Sequence, residues 1–174
     1  MHVVVMGVSG SGKTTIAVPL ADHLGWAFGE GDDFHPAENI ARMEAGTPLT
    51  DEDRWPWLDE MRQWIAEQER AGRSSVLAAS ALKRSYRDIL REGAQDVRFL
   101  HLVGPEDVLL ERMGTRDGHF MPADLLDSQL DTLEPLAQDE MADERGLVLD
   151  VRATPDALVD AAASWLAQPL DRQS

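Results

Sequence analysis

The residues best suited to chemistry stand together at Gly7-Val8-Ser9-Gly10-Ser11-Gly12-Lys13-Thr14. Their spacing is G-x-x-x-x-G-K-[ST], the phosphate-binding P-loop pattern. Glycines at 7, 10 and 12 let successive backbone N–H groups turn into one concavity and hold an anion. Lys13 brings a mobile charge that reaches β- and γ-phosphates, and Thr14 brings a hydroxyl for Mg²⁺. Gly7, Ser9, Gly10, Ser11, Gly12, Lys13, Thr14 and Thr15 are therefore the expected binding set for ATP. The plain structural alternative is a glycine-rich strand-to-helix turn with a solvent lysine. Phosphoryl transfer to an alcohol also wants a carboxylate beside the acceptor hydroxyl. Asp32 is the expected residue, with Asp33 as its rival and a turn-forming Asp as the bland alternative.

The elements around these residues must position them. His2 to Met6 is a short β-branched run, read as a buried strand. Ile16, Leu20, Ala21 and Leu24 then recur at helical spacing. Weak strand character over 26–29 leads into Glu30 to Pro36. Pro36 opens a helix whose apolar positions are Ile40 and Met43. Thr50 or Asp51 caps the next helix, and Asp51, Glu52 and Asp53 suit its dipole. Trp57, Leu58, Met61, Trp64 and Ile65 form its apolar stripe. Residues 75–80, 97–103 and 147–151 read as strands, and 86–90, 105–113 and 123–133 as helices. Residues 116–122 read as a loop, Thr154 with Pro155 opens a last helix, and 169–174 are expected to fray. Strands alternating with helices predict an α/β three-layer sandwich around a five-stranded parallel sheet. Ligands then belong at the carboxyl ends of the strands. That rule selects the P-loop, Asp32 to His35, Ser80 to Arg84 and the loop after Val151.

Bulk properties narrow the partners. A chain of 174 residues, 43% hydrophobic and 28% charged, suits a single globular domain over 1–174. Acidic residues outnumber basic ones 32 to 16, for a formal charge of −16. Nucleic acid and anionic membrane both demand a basic surface, so neither is an expected partner. Cysteine is absent, which excludes disulfides and thiolate metal sites. No apolar run approaches the ~20 residues of a membrane span. The first strand follows Met1 at once, leaving no room for a signal peptide. Cytoplasmic residence is the expectation.

P-loop proteins divide by their motifs downstream of the loop. The N-K-x-D motif of GTPases does not occur, and the central strand ends Ala78-Ala79-Ser80 rather than in the Asp-Glu of motor ATPases. A small-molecule kinase remains. Here the chain resembles the P-loop gluconate kinases, the gluconokinases. The resemblance is carried by Gly31-Asp32 with His35-Pro36, by Asn39-Ile40, and by Gly46-Thr47-Pro48-Leu49-Thr50-Asp51-Glu52-Asp53-Arg54-Trp55-Pro56-Trp57-Leu58. It continues through Ser80-Ala81-Leu82-Lys83-Arg84, Tyr86-Arg87-Asp88, His119-Phe120-Met121-Pro122, Leu125-Leu126, Ser128-Gln129 and Leu133-Glu134-Pro135. These segments run in order across nearly the whole chain. The resemblance implies ATP-dependent phosphorylation of D-gluconate at its 6-hydroxyl, a nucleoside-monophosphate-kinase-like fold with a lid near 113–132, and a homodimer.

It also implies a substrate set. The family pattern favours Asp32 over Asp33. Glu30 departs from the Asp more usual there; through a water it is a candidate for Mg²⁺. A sugar acid needs cations for its carboxylate and donors for its hydroxyls. Asp32, His35, Arg54, Lys83, His119 and Gln129 are the candidates. Arg54 suits bidentate pairing, with a salt bridge to the acidic turn around it as the alternative. Lys83 has a solvated strand-end lysine as its alternative. Arg112 is expected near adenine, and Arg116 at the transferring phosphoryl group. Arg84, Arg87 and Arg91 read as solvated helix residues, and the five tryptophans as packing. Two other readings compete. A shikimate-kinase-like enzyme should carry a glycine-rich turn after the central strand, where this chain has Ser80 to Lys83. A nucleotide-gated binding protein would phosphorylate nothing and would not need so dense an acceptor set.

Overall fold

The computed structural model describes residues 1–114, 123–142 and 145–168. Strand β1 (His2–Met6) shows no polar alternation because both of its faces are buried. Val3 and Val5 enter one apolar cluster, and Val4 and Met6 the other. Around it lie β2 (Ala27–Glu30), β3 (Ser75–Ala78), β4 (Val97–Val103) and β5 (Gly146–Asp150). The order is β2-β3-β1-β4-β5 and every pairing is parallel. The P-loop therefore leaves the middle of the sheet.

Helices cover both faces, which makes the three-layer sandwich. Helix α1 (Lys13–Leu24) follows the P-loop. Pro36 precedes α2 (Ala37–Glu44), and Thr50 precedes α3 (Asp51–Arg70). Then come α4 (Arg84–Arg91), α5 (Glu106–Gly114), α6 (Ala123–Thr132), the short α7 (Gln138–Met141) and α8 (Pro155–Leu166). Ile16 and Leu20 of α1 pack with Leu158, Ala162 and Trp165 of α8, joined by Leu109 and Leu126 from α5 and α6. On the opposite face α3 contributes Trp57, Leu58, Met61 and Ile65, and α4 contributes Tyr86 and Leu90. Helix α3 starts where a capping box fixes it. The Asp53 N–H donates to Thr50 Oγ1 at 3.3 Å, and the Thr50 N–H to Asp53 Oδ2 at 2.9 Å.

Several details depart from the sequence pattern. Strand β3 ends at Ala78 and β2 reaches Glu30, so Glu30 sits at the very edge of the sheet. A 3-10 turn occupies Gly31–Phe34. In α2 the inward position is Asn39, whose Nδ2 donates to Asp53 O at 2.6 Å, while Ile40 is 39% exposed. One buried amide thus ties α2 to the start of α3. Helix α7 is too short to give a periodic signal. Arg87 is no solvated residue: it is fully buried, in a bidentate pair with Glu140 of α7. Arg91 donates to Glu140 as well, and Arg84 pairs with Asp139 near the surface. The expected loop over 116–122 and the tail over 169–174 lie outside the described residues.

Candidate active site

The P-loop is shaped by close approach. Gly10 has φ +79° and Gly12 φ +86°, conformations that favour glycine. A Cβ on Gly10 would stand 2.6 Å from Leu109 O, so α5 presses directly on the loop. Lys13 Nζ donates to Val8 O at 3.3 Å, curling over the loop that precedes it. The Ser9 N–H donates to Gln129 Oε1 of α6 at 2.7 Å. Ser11 Oγ is buried and has no hydrogen-bond partner among the described residues. Beside the loop is a cavity of about 270 Å³ lined by Gly10, Gly12, Thr15, Arg112, Ala153 and Pro155, among others. Arg112 Nη2 donates to Val151 O at 2.6 Å. The loop after Val151 and Arg112 thus meet at the P-loop flank, the place expected for adenine.

Across the loop, Thr14 Oγ1 donates to Glu30 Oε2 at 2.8 Å. Burial pushes the Glu30 carboxyl up, and the Asp32 charge adds to this; the Thr14 hydrogen bond and the Lys13 charge act against it. A hydroxyl and a single carboxylate are the donors Mg²⁺ uses when phosphate oxygens complete its shell. Thr14 and Glu30 therefore fit such an ion, although no cluster of three ionisable ligands occurs among the described residues.

The acceptor side is built on α3. The Trp57 indole N–H donates to Gly31 O at 2.7 Å, and its ring stacks on His35 with centroids 4.5 Å apart and planes 4° apart. Gly31 is buried against β3: a Cβ there would stand 2.5 Å from Ala78 O. The 3-10 turn carrying Asp32 is thus pinned from two sides. Asp32 itself is exposed. Its charge raises the Glu30 carboxyl and opposes the lowering of the His35 imidazole. Burial holds the His35 imidazole below its ordinary pKa, with Asp32 opposing and Arg54 reinforcing. At neutral pH the ring is neutral, able to donate one hydrogen bond and accept another.

Beyond His35 lies a compact polar cluster. Arg54 Nη1 donates to Tyr86 Oη at 3.2 Å, and Tyr86 donates to Asp51. Lys83 Nζ donates to both Asp51 oxygens, at 2.9 and 2.7 Å. Both cations also lie over the Tyr86 ring, 5.8 and 5.7 Å from its centroid. The structure thus brings together Asp32, His35, Arg54 and Lys83. It sets Gln129 apart, at the P-loop. Arg116 and His119 lie outside the described residues. Sequence reasoning missed Trp57, Asp51 and Tyr86 as members of the site. Tyr86 is the single tyrosine of the chain, three residues after Lys83, and that spacing is the signal that could have found it.

An AAA-domain family profile matches residues 3–136. A gluconokinase from Gluconobacter oxydans (strain 621H) is 53% identical over 137 residues, covering 79% of this chain and 77% of that protein. This chain belongs to the gluconokinase family. Among solved structures, a gluconokinase from Sinorhizobium meliloti 1021 is 47% identical with a TM-score of 0.82, covering 95% of this chain and 91% of that one. An unliganded sugar kinase from Janibacter sp. HTCC2649 is 57% identical with a TM-score of 0.89, covering 95% and 93%. The P-loop, Arg112 and the loop after β5 meet on one side of the sheet's carboxyl edge, and the residues after β2 and β3 meet the start of α3 on the other. No described helix is long and apolar enough to cross a membrane.

Proposed function

We propose that the protein transfers the γ-phosphoryl group of ATP to the 6-hydroxyl of D-gluconate, giving 6-phospho-D-gluconate and ADP. The observation that carries this reading is the acceptor wall. It offers a carboxylate at Asp32, a neutral imidazole at His35 and two cations at Arg54 and Lys83, the groups a polyhydroxy acid requires. The P-loop amides and Lys13 hold the phosphates, and the cavity at Arg112 receives the base. Arg54 and Lys83 hold the substrate carboxylate, and His35 binds a hydroxyl. The far hydroxyl then reaches Asp32, which orients it and accepts its proton. As the oxygen–phosphorus bond forms, the bond to the β-phosphate oxygen breaks and ADP leaves. Thr14, with Glu30 through water, would hold Mg²⁺, which supplies charge neutralisation on the phosphates.

Three further roles belong to the proposal. Gln129, bound at Ser9, acts at the phosphate end rather than on the sugar chain. Arg116 and His119 are assigned from sequence, to the transferring phosphoryl group and to the acceptor. Cytoplasmic residence rests on the sequence's composition and its lack of a long apolar run, and a homodimer on the family resemblance.

ADP release with MgATP, measured against gluconate, shikimate, sorbitol and a nucleoside, tests the reading. Gluconate alone is expected to stimulate turnover. Stimulation by shikimate and not gluconate would move the chain to the competing enzyme class, and turnover indifferent to all acceptors to a nucleotide-gated protein. In the same assay, Arg54→Ala is expected to raise KM for gluconate about tenfold or more, the scale of a lost charged hydrogen bond. KM for ATP should stay within about twofold. The opposite pattern would place Arg54 on the nucleotide side.

A further inference from the structure

Arg54 has a carboxylate of its own helix within reach and does not take it. Asp51 lies three residues earlier on α3, yet Arg54 Nη1 stops 3.8 Å from Asp51 Oδ1, beyond hydrogen-bond range. Side chains three apart on a helix are neighbours, so direct pairing is open to them. The Tyr86 hydroxyl stands between. It accepts from Arg54 Nη1 at 3.2 Å and donates to the same Asp51 oxygen. Chemistry fixes that direction. A guanidinium only donates and an ionised carboxylate only accepts, so the single phenolic hydrogen goes to Asp51. Hydrogen bonds from Lys83 and Tyr86 hold the Asp51 carboxyl below its usual range and keep it ionised. Burial, and then the Asp51 contact, hold the phenol above its ordinary pKa, so its hydrogen is kept.

Taking Arg54 as a partner of the substrate carboxylate, as in the gluconate reading above, we infer that Tyr86 is a positioning residue. Its hydroxyl is a spacer that keeps Arg54 from collapsing onto Asp51 and leaves the guanidinium for the substrate. Lys83 shows the collapsed alternative: its Nζ lies 2.9 and 2.7 Å from the two Asp51 oxygens with nothing between. Arg54 gives one hydrogen to Tyr86, and its Nε and Nη2 make no hydrogen bond among the described residues. Its side chain is partly exposed, so a substrate reaches it. The spacer itself is fixed. The Tyr86 ring is buried, Trp55 meets it edge-on with centroids 5.8 Å apart, and its backbone N–H donates to Lys83 O at 3.1 Å. It cannot swing aside with the two side chains it separates.

Tyr86→Phe removes the spacer and keeps the ring. A crystal structure of this variant is expected to show Arg54 in direct contact with Asp51, within about 3.2 Å. In ADP-release kinetics KM for gluconate should rise about fivefold, the scale of one hydrogen bond, and by more than kcat falls. KM for ATP should stay within about twofold of native. The same change is then made in Asp51→Asn, whose neutral amide cannot draw the guanidinium by charge. There Tyr86→Phe should move KM for gluconate by less than about twofold. Equal fold-changes in the two backgrounds, or an Arg54 that stays clear of Asp51 in the Phe variant, would overturn the inference and leave Tyr86 a packing residue. Should Tyr86→Phe prove unstable by thermal unfolding, Asp51→Glu takes its place without touching the core. Its longer arm closes the same gap from the other side, and an unraised KM for gluconate there would equally overturn the spacer. A native KM for gluconate in Arg54→Ala would instead defeat the reading of Arg54 as the carboxylate's partner, and the Arg54 to Asp51 distance alone would then judge the spacer.

Discussion

Asp32→Asn is expected to lower kcat by about 10²–10⁴-fold, the range for loss of a positioned general base. The amide keeps the shape of the side chain but can neither take the proton nor carry charge. KM for ATP should stay near its native value, because the phosphate contacts come from the P-loop and Lys13. The structure makes this a clean experiment. Asp32 is exposed. The turn that carries it is fixed by the Trp57 bond to Gly31 O and by the close approach of Gly31 to Ala78. Single-turnover measurements with gluconate would isolate the chemical step. A kcat within threefold of native would remove Asp32 from the base role and turn attention to Asp33. The gluconokinase pattern over Gly31 to Pro36 is what favours it over its neighbour.

Much of this site was legible because its signals are local. The P-loop announces itself by glycine spacing between a β-branched run and a helical stripe. Asp32, His35 and Lys83 could be gathered from distant segments only because each follows a strand, and parallel strands deliver their exits to one edge. The contacts that escaped reading depend on partners far apart in sequence. Lys83 meets Asp51 across 32 positions, and Tyr86 meets it across 35. Asp51 had a sufficient local explanation as a first-turn acid, so nothing in the sequence called for a second role. Trp57 fitted the apolar stripe of α3, yet its indole N–H and ring face fix Gly31 and His35. Gln129 reaches Ser9 across 120 positions, and no pattern of spacing foretells that contact. Ile40 and Asn39 exchanged places for a similar reason. A buried amide with a backbone partner in α3 competed successfully with an aliphatic side chain that had none.

Arg87→Ala should destabilise the protein by about 3–5 kcal/mol, the cost of stripping one partner from a buried ion pair. At this chain length that corresponds to a fall in Tm of about 6–20 °C. Arg87 donates to Glu140 at 2.8 and 2.6 Å, and also to Leu82 O at 3.2 Å and Glu134 O at 3.0 Å. One guanidinium therefore binds the loop after β3 to the segment after α6. Truncation leaves two carbonyls with one donor fewer, and a buried carboxylate with only Arg91 and the Ala137 N–H. Double-mutant analysis separates these losses. Arg87→Met combined with Glu140→Met should cost less than the sum of the two, because neither charge is then left uncompensated. The pH dependence gives an independent check. Burial alone would raise the Glu140 carboxyl, but hydrogen bonds from Arg87, Arg91 and Ala137 outweigh it and hold it at about 2, against 4.5 for the free group. A carboxyl depressed on folding stabilises above its unfolded pKa, and that contribution drains away as pH falls from 4.5 toward 2. Urea unfolding across this window should show a steep acid loss in the native protein and a shallower one in Arg87→Met. Equal slopes would mean that Arg91 and the Ala137 N–H together suffice to hold Glu140 ionised. Because Leu82 adjoins Lys83, the Arg87 variants should also raise KM for gluconate well below their own Tm, with KM for ATP unmoved.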